Sequence, residues 1–385
     1  MHKSPLNRGS WVEIDLGALA FNIGQIKSRL KRHTRFMAVL KADAYGHGAV
    51  AAARTAVDEG VDWLGVATVE EAIELRSAGI ELPILLLGEP PVSAIEHLLE
   101  FDITPTAANP DFVYRLAGAA QLQGRKADYH LKVNTGMNRL GVRPAEIVAI
   151  LQELALLPHV RLAGLFTQFA TADIADNPAA HRQLQLFERT VTAVRQAGFD
   201  PGIVHAANSA ATILMGDAHF DMVRCGIALY GLHPSEATKA YITLKPVMSV
   251  YSQVEQVHNI SRGEGVSYGL TWHADIECAI VTLPIGYADG VPRIASGKLE
   301  LLHDGRRFEQ VGRITMDQLM VRAMKNDRIE PASTFVMIGE DAGAYLSMDE
   351  VARHASTINY EIACGLGQRL ERVYLPAERD SRPVG

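Results

Sequence analysis

The sequence predicts an α/β fold, a closed parallel (β/α)8 TIM barrel, followed by a mainly β C-terminal domain. From about residue 36 to 230, eight short apolar runs alternate with segments of helical periodicity, the pattern of a parallel sheet wrapped by helices. No Gly-x-Gly-x-x-Gly motif follows the first run, which disfavours an open dinucleotide-binding sheet. After residue 243 the runs become short and partly alternating, as is typical of antiparallel strands.

Helix signals separate the predicted barrel strands. Thr68 followed by Glu71 forms a capping-box pattern, and Gly79 lies where that helix is expected to end. Another helix begins at Pro178 and ends before Gly198. The eight predicted strands are residues 36–40, 63–67, 84–87, 103–106, 127–133, 162–168, 203–205 and 222–225.

The mainly β domain is predicted from five short runs and one turn signal. Asp304 and Gly305 predict a tight hairpin, because this pair readily adopts positive φ. A helix is expected near residues 347–355. The predicted strands are residues 248–256, 276–283, 299–303, 308–312 and 334–338.

Length and composition suit two packed domains. The chain has 385 residues, of which 48% are hydrophobic and 21% charged, the balance of a folded globular protein. We divide it into the barrel, residues 12–243, and the β domain, residues 244–385. Residues 1–11 are a candidate extra strand of the second domain.

Charge and cysteine content exclude several classes of protein. The formal net charge of −7 provides no electrostatic footprint for nucleic acid or an anionic membrane. Three scattered cysteines offer neither a disulfide framework nor zinc-ligand spacing. The start of the chain lacks the apolar core of a signal peptide, and the longest apolar stretch is far shorter than the ~20 residues that span a bilayer. We therefore expect a cytoplasmic protein with no bound metal and no nucleic-acid or membrane partner.

One lysine stands where barrel active sites lie. Lys41 follows the first predicted strand, at the carboxyl-terminal face that carries the catalytic residues of barrel enzymes. Partial desolvation there lowers the pKa of a lysine and frees its amine to attack a carbonyl group. A surface lysine at a strand exit is the alternative that this position alone leaves open.

The ends of the last two predicted barrel strands suit a phosphate. Barrels frequently bind phosphate with the loops that follow these strands, and Ser209 with the Gly226 and Ile227 amides fits that role. The alternative is that Asn208 and Ser209 only cap the next helix. A carbonyl-bonding lysine and a phosphate site at one rim together indicate pyridoxal phosphate, which requires both.

Eight segments carry a resemblance that covers essentially the whole chain. They are residues 39–48, 132–141, 207–209, 224–231, 266–269, 286–290, 312–318 and 359–361. In this order they resemble the pyridoxal-phosphate-dependent alanine racemases. The resemblance implies interconversion of L- and D-alanine by a homodimer with shared active sites, and in bacteria a supply of D-alanine for peptidoglycan.

The resemblance implies two catalytic bases. Lys41 corresponds to the lysine that binds the cofactor aldehyde and serves the D-face proton. Tyr268 corresponds to the opposing base for the L-face proton, supplied by the second subunit. Racemisation requires two such groups, because one removes the α-proton and the other returns a proton from the far side.

The resemblance also implies binding roles for the small-molecule amino-acid substrate and the cofactor. The positions that match phosphate contacts are Tyr45, Ser209, Gly226, Ile227 and Tyr360. The positions that match the substrate cavity are Arg139, Met316 and Tyr287. Arg139 also matches the arginine near the phenolic oxygen of the cofactor.

Two further basic residues correspond to family positions whose roles affect the chemistry of the site. Arg224 corresponds to an arginine that faces the pyridine nitrogen, and a guanidinium cannot accept that proton, so the ring nitrogen stays unprotonated. Such a ring is a weaker electron sink, which discourages transamination. Lys132 corresponds to a lysine that the family often carries as a carbamate, whose negative charge orients Arg139. Unmodified, the two would form a like-charge pair that needs a neutralising partner.

Four positions depart from the family pattern. Asn134 stands in place of Asp, Asn138 in place of Gly, and Thr315 in place of Cys. Gln168 replaces a histidine that bonds both the catalytic tyrosine and the pyridine-facing arginine. Because glutamine does not titrate, we hypothesise that Tyr268 is less well activated here and that the preference for alanine is less strict.

Three alternatives stay open from the sequence. A racemase of another or broader small amino acid, such as serine, would share Lys41 and Tyr268. A decarboxylase is disfavoured by the arginine at the pyridine nitrogen, since decarboxylation benefits from a protonated ring. A non-catalytic pyridoxal-phosphate carrier would need neither a second domain nor an opposing tyrosine.

Overall fold

The structure is a computed structural model that describes residues 8–174 and 177–376. The chain divides into two compact units. Among the described residues, the barrel unit comprises 19–44, 49–174 and 177–245, and the β unit comprises 8–18, 45–48 and 246–376. The domain limits proposed from the sequence stay predictions. Within the described residues, no helix is long and apolar enough to cross a membrane.

A parallel sheet forms the centre of the barrel unit, and each of its strands overlaps a predicted one. The first strand of the described residues, β1 (Ser10–Asp15), belongs to the β unit. The barrel strands are β2 (Arg35–Val39), β3 (Trp63–Val66), β4 (Ile84–Leu86), β5 (Thr106–Ala107), β6 (Ala127–Lys132), β7 (Val160–Phe166), β8 (Ile203–His205) and β9 (Met222–Cys225).

The sheet closes on itself, so the prediction of a (β/α)8 barrel is confirmed. The strand order is β4-β3-β2-β9-β8-β7-β6-β5, and a parallel bridge between Leu85 and Thr104 joins its two ends. Strand β5 is shorter than the predicted strand 103–106, because Pro105 has no N–H group to donate to a neighbour.

Helix α1 precedes the first barrel strand and the other helices alternate with the strands, and the two predicted starts, after Thr68 and at Pro178, are confirmed. Thr68 Oγ1 accepts from the backbone N–H of Glu71 at 3.3 Å, and the Glu71 carboxylate accepts from the N–H of Thr68 at 3.2 Å. The capping box is therefore confirmed. The helices are α1 (Leu16–Lys27), α2 (Lys41–Gly46), α3 (Ala49–Asp58), α4 (Val69–Ser77), α5 (Ile95–Glu100), α6 (Pro110–Leu122), α7 (Ile147–Leu154), α8 (Pro178–Gln196) and α9 (Ser209–Leu214).

The β unit is built on a sheet of order β11-β14-β17-β16-β15-β18-β10-β1-β20, with β19 beside β18. Residues 1–7 of the candidate extra strand lie outside the described residues, whereas β1 pairs with β10 and β20. The elements are β10 (Met248–Gln253), β11 (Gln256–Ile260), β12 (Gly265–Val266), β13 (Trp272–His273), β14 (Cys278–Leu283), β15 (Glu300–His303), β16 (Arg306–Val311), β17 (Leu319–Ala323), β18 (Thr334–Asp341), β19 (Ala344–Leu346), α10 (Met348–His354), α11 (Asn359–Gly365) and β20 (Glu371–Leu375).

Two predictions for the β unit have clear outcomes. The hairpin at Asp304 and Gly305 is confirmed, with φ of +48° and +71° between β15 and β16. The single predicted strand 248–256 was wrong, since the chain changes partners within it. β10 pairs with β1 and β18, whereas β11 pairs with β14. The change of pairing partner occurs at Val254 and Glu255, between the two strands.

Candidate active site

The barrel places several predicted site residues at one rim. Lys41 follows β2, Lys132 ends β6, Arg224 lies in β9 next to its end, and Ser209 follows β8 after a short loop. The carboxyl ends of parallel strands meet at the same face of a barrel. The positive charges of Lys41, Arg139 and Arg224 all act on the Lys132 amine, so the four cations share one region.

The backbone after Lys41 has an unusual conformation. Ala42, Asp43, Ala44 and Tyr45 have φ between +51° and +55°, which makes α2 a left-handed helical turn. Such a turn costs roughly 1–2 kcal/mol per residue for L-amino acids, and strain of this kind concentrates at functional sites. The Asp43 carboxylate accepts from the N–H of Ala49 at 2.6 Å and so ties the turn to α3. Sequence reasoning missed this turn, because alanine and tyrosine rarely adopt positive φ and the single aspartate only tolerates it.

Arg224 is buried and held on several sides. Its Nη2 donates to Thr167 O, Ala206 O and Gln168 Oε1 at 2.8, 3.0 and 2.9 Å. Its Nη1 donates to His205 Nδ1 at 2.9 Å. Burial lowers the pKa of Arg224 to about 10, so the guanidinium remains charged at neutral pH. The side chain therefore presents a fixed positive charge that cannot take up a proton.

A pair of buried histidines lies behind Arg224. Because arginine only donates, His205 Nδ1 is the acceptor and its Nε2 carries the hydrogen, which it donates to His130 Nδ1 at 2.8 Å. His130 then carries its own hydrogen on Nε2, which is buried without a hydrogen-bond partner among the described residues. Burial lowers the pKa of His130 to about 3 and that of His205 well below its usual value. Both rings are therefore neutral, and the sequence provided no signal for this pair.

The Ser209 hydroxyl lies against the backbone that follows β9. Ser209 Oγ accepts from the N–H groups of Gly226 at 3.0 Å and Ala228 at 3.5 Å. Asn208, rather than Ser209, caps α9, since its Oδ1 accepts from the N–H of Ala211 at 3.0 Å. The hydroxyl is thus directed at the 226–228 backbone, where hydroxyl and amide groups together suit a phosphate.

Lys132 lies in a cationic environment. It is buried, with Nζ 3.4 Å from Leu87 O and 5.2 Å from the centre of the Phe166 ring. Desolvation, followed by the charges of Arg224, Arg139 and Lys41, lowers its pKa to about 8. Roughly a tenth of the amine is therefore uncharged at pH 7, and the uncharged amine is the form that reacts with carbon dioxide.

Two of the departures from the family pattern form a pair. Asn138 has φ of +57°, a conformation that glycine adopts freely and asparagine tolerates. Asn134 Oδ1 accepts from the N–H groups of Gly136 and Asn138 at 3.1 and 3.0 Å, so its Nδ2 points the other way and donates to Asn138 Oδ1 at 3.1 Å. The Asn134 amide therefore stabilises the turn that carries Arg139, whereas a glycine at position 138 would adopt this φ without such support.

Tyr268 lies at the tip of the hairpin formed by β12 and β13. The tip is tightly bent, with φ of +63° at Ser267 and +74° at Gly269. Ser267 Oγ donates to Arg313 O at 2.7 Å and anchors it. The tyrosine is 71% exposed.

Backbone hydrogen bonds join the segments that contain Tyr287 and Met316. The N–H of Tyr287 donates to Thr315 O and that of Ala288 donates to Met316 O, both at 3.0 Å. Asp289 is fully buried beneath this loop, accepts from the N–H of Gly286 at 2.8 Å and forms ion pairs with arginines. Sequence reasoning missed Asp289.

The remaining predicted phosphate ligands also lie close to each other within the β unit. The rings of Tyr45 and Tyr360 are 6.2 Å apart, centre to centre. His47 Nδ1 lies 2.9 Å from Tyr45 O. Gly46 follows with φ of +79°, where a Cβ would meet Ala363 O at 2.4 Å, so only glycine fits this approach to α11.

Comparison with known proteins gives the family. The profile of the alanine racemase N-terminal domain matches residues 14–234, and that of the alanine racemase C-terminal domain matches residues 247–374. The chain belongs to the alanine racemase family. It is accordingly an enzyme of the isomerase class, and the resemblance inferred from eight short segments is confirmed.

Individual relatives agree with the family profiles. An alanine racemase of Desulfovibrio desulfuricans is 43% identical over 369 residues, which cover 96% of this chain and 99% of that protein. The crystal structure of a Clostridium difficile alanine racemase covers 96% of both chains at 38% identity and a TM-score of 0.92. A Bacillus anthracis alanine racemase with bound L-Ala-P has a TM-score of 0.91 at 35% identity, covering 98% of this chain and 97% of that one.

For this member of the family, replacing Gln168 by histidine is expected to introduce a titratable contact beside Arg224. Gln168 directs its Oε1 to Arg224 and its Nε2 to Phe169 O. We expect Gln168→His to raise the L-to-D rate by roughly threefold to tenfold and to add an ionisation between pH 5 and 8 to the rate profile.

The control is Gln168→Asn, which also lacks a titratable group and is expected to show no gain. Initial rates of L-to-D conversion from pH 5 to 10 check both variants. An unchanged rate and profile for Gln168→His would exclude a limiting role of this glutamine.

Proposed function

We propose that this enzyme interconverts L- and D-alanine with pyridoxal phosphate, using Lys41 of one subunit and Tyr268 of the partner subunit as the two bases. The observation that carries the proposal is the shared rim, where Lys41 lies with Arg224, the Ser209 hydroxyl and the amides that bond to it, at the carboxyl ends of the barrel strands. The names of the relatives support alanine as the substrate.

The residues present suit pyridoxal phosphate. Burial and then the charges of Arg224, Arg139 and Lys41 lower the pKa of Lys132. A bound anion would relieve the repulsion among these cations, and the Ser209 hydroxyl and the 226–228 amides suit its phosphate. The residues that would hold the group are Lys41, Tyr45, Ser209, Arg224, Gly226, Ile227 and Tyr360. When bound, pyridoxal phosphate supplies an aldehyde that bonds the substrate amine and a ring that accepts electrons from the α-carbon.

The two bases act on opposite sides of the substrate α-carbon. The Lys41 amine would exchange the proton of the D enantiomer, and the phenol of the partner subunit's Tyr268 would exchange that of the L enantiomer. Tyr268 is 71% exposed at a hairpin tip, as suits a residue that serves a neighbouring subunit. A homodimer with shared active sites follows from this assignment.

Arg224 and Arg139 have separate tasks in this proposal. Arg224 would face the ring nitrogen, and because its guanidinium only donates hydrogen bonds and keeps its proton at neutral pH, it would leave that nitrogen unprotonated. Arg139 would bind the substrate carboxylate, with Met316 and Tyr287 completing the cavity. Lys132, whose amine is partly uncharged because its pKa is about 8, would carry the carbamate that orients Arg139.

A second candidate is a racemase of broader specificity, including serine, and Gln168 in place of the usual histidine favours it. The cytoplasmic location and the supply of D-alanine for peptidoglycan remain predictions that follow from the family.

The test is to incubate the protein and cofactor in D₂O with single-enantiomer amino acids, following optical rotation and deuterium at Cα. Alanine is expected to racemise with deuterium incorporation, and comparable rates with serine would favour the broader enzyme. Absence of exchange with every amino acid would overturn the proposal.

The Tyr268→Phe variant tests the second base. Without the phenol, we expect racemisation to fall by roughly 10²–10⁴-fold, the usual contribution of a general acid–base group. Exchange of the D-alanine α-proton should persist, because Lys41 remains. Equal loss of α-proton exchange from L-alanine and from D-alanine would contradict the assignment of one base to each enantiomer. Tyr241→Phe, at an exposed position, serves as the control.

A further inference from the structure

We propose that Glu71 is a positioning residue for Lys41, because its carboxylate caps the left-handed turn that begins immediately after the lysine. The inference rests on the proposed function of Lys41 and deepens the account of the same site. Glu71 is the third residue of α4, where the sequence predicts only a capping box.

The two carboxylate oxygens of Glu71 serve different parts of the chain. Oε2 accepts from the N–H groups of Ala67 at 2.7 Å and Thr68 at 3.2 Å, at the start of α4. Oε1 accepts from the N–H of Ala42 at 2.6 Å. Hydrogen bonds to an ionised acceptor are shorter and stronger than neutral ones, so Glu71 ties α4 firmly to the residue that follows Lys41.

The left-handed turn needs an acceptor from outside. Every helical turn leaves its first N–H groups without partners inside the turn. The N–H of Ala44 reaches Leu40 O at 2.8 Å, but that of Ala42 comes too early in the turn for such a bond. Glu71 accepts from that group, in the way a cap residue does at the start of an ordinary helix.

Lys41 is thereby held from both sides by one segment. On its amino-terminal side the N–H of Leu40 donates to Gly65 O at 2.8 Å, and on its carboxyl-terminal side the N–H of Ala42 donates to Glu71. Gly65 lies in β3 and Glu71 in α4, which follow one another directly. Because the backbone sets the allowed directions of a side chain, loss of the Glu71 bond releases a constraint on the lysine.

Two substitutions separate this role from helix capping. Glu71→Gln has one acceptor oxygen, which is expected to serve the two N–H groups at the start of α4 and leave Ala42 without an acceptor. Thr68→Val removes the hydroxyl that accepts from the N–H of Glu71 and leaves both carboxylate oxygens in use. The first variant loses the Ala42 bond, and the second loses only part of the cap.

For Glu71→Gln we expect kcat to fall about tenfold to a hundredfold with KM changed less than about threefold, since small displacements of a catalytic group have effects of this size. In the protein without cofactor, the Ala42 amide should exchange hydrogen at least about tenfold faster. For Thr68→Val we expect wild-type kcat and Ala42 exchange with a lower melting temperature.

Wild-type kcat and Ala42 exchange in Glu71→Gln would overturn the proposal. So would an equal loss of kcat in Thr68→Val, because the effect would then be one of helix stability. Amide exchange of the cofactor-free protein needs no turnover. It therefore still tests the positioning role if the wild-type enzyme fails to racemise alanine.

Discussion

Replacing Lys41 by alanine is expected to reduce racemisation by at least about 10³-fold, because one side chain supplies both the covalent attachment and a base. Exchange of the D-alanine α-proton should be lost with it. Rates of racemisation and of Cα deuterium exchange, measured with saturating cofactor, check this expectation. Lys126→Ala, at an exposed position away from the rim, is the matched control and should behave as the wild type.

Covalent labelling separates loss of chemistry from loss of folding. Borohydride treatment of the wild-type protein is expected to fix the cofactor on the peptide that contains Lys41, as seen by mass spectrometry. The Lys41→Ala protein should retain its circular dichroism and carry no fixed cofactor. A fixed cofactor on another lysine of the wild-type protein would contradict the assignment.

Acidification is expected to destabilise the barrel through His130 and His205. Both are neutral when folded, since burial lowers the pKa of His130 to about 3 and that of His205 well below 6.5. The unfolded chain takes up protons on these rings as the pH falls through about 6.5. Their contribution is therefore fully present above that pH and is lost towards the folded pKa, at about 1.4 kcal/mol per pH unit for each ring.

The change in slope on removing one ring tests this expectation. Between pH 6 and 4 the free energy of unfolding of His130→Gln should depend less steeply on pH than that of the wild type, by about 1.4 kcal/mol per unit. Urea unfolding followed by circular dichroism measures it. His33→Gln, at an exposed site, should leave the slope unchanged. An unchanged slope in His130→Gln would mean that the folded state also protonates this ring.

Much of the fold could be predicted from local sequence. The alternation of apolar runs and helical segments is repeated eight times, which is why every barrel strand overlaps a predicted one. Thr68 with Glu71, and Asp304 with Gly305, signal a helix start and a turn through bonds within a few residues. The predicted strand 248–256 was wrong because Val254 and Glu255 change partners, which depends on strands far away in the chain.

In the candidate site, too, some residues could be predicted from the sequence, whereas some contacts could not. Lys41, Ser209 and Arg224 could be found because they lie at strand ends, and parallel strands end at one face. Their family roles depended on eight motifs. The Asn134–Asn138 amide pair was visible only as two separate departures, since the hydrogen bonds that join them require the turn geometry.

The sequence by itself determined the barrel, the β domain, the family and the residues at the rim, because these depend on periodicity, spacing and short motifs. Only the tertiary structure decided which hydrogen bonds fix the residues at the rim in place. The His130–His205–Arg224 chain joins three strands, and the Glu71–Ala42 bond joins α4 to the left-handed turn after Lys41. Such contacts depend on strand register, barrel closure and backbone handedness, and none of these is encoded within a few neighbouring residues.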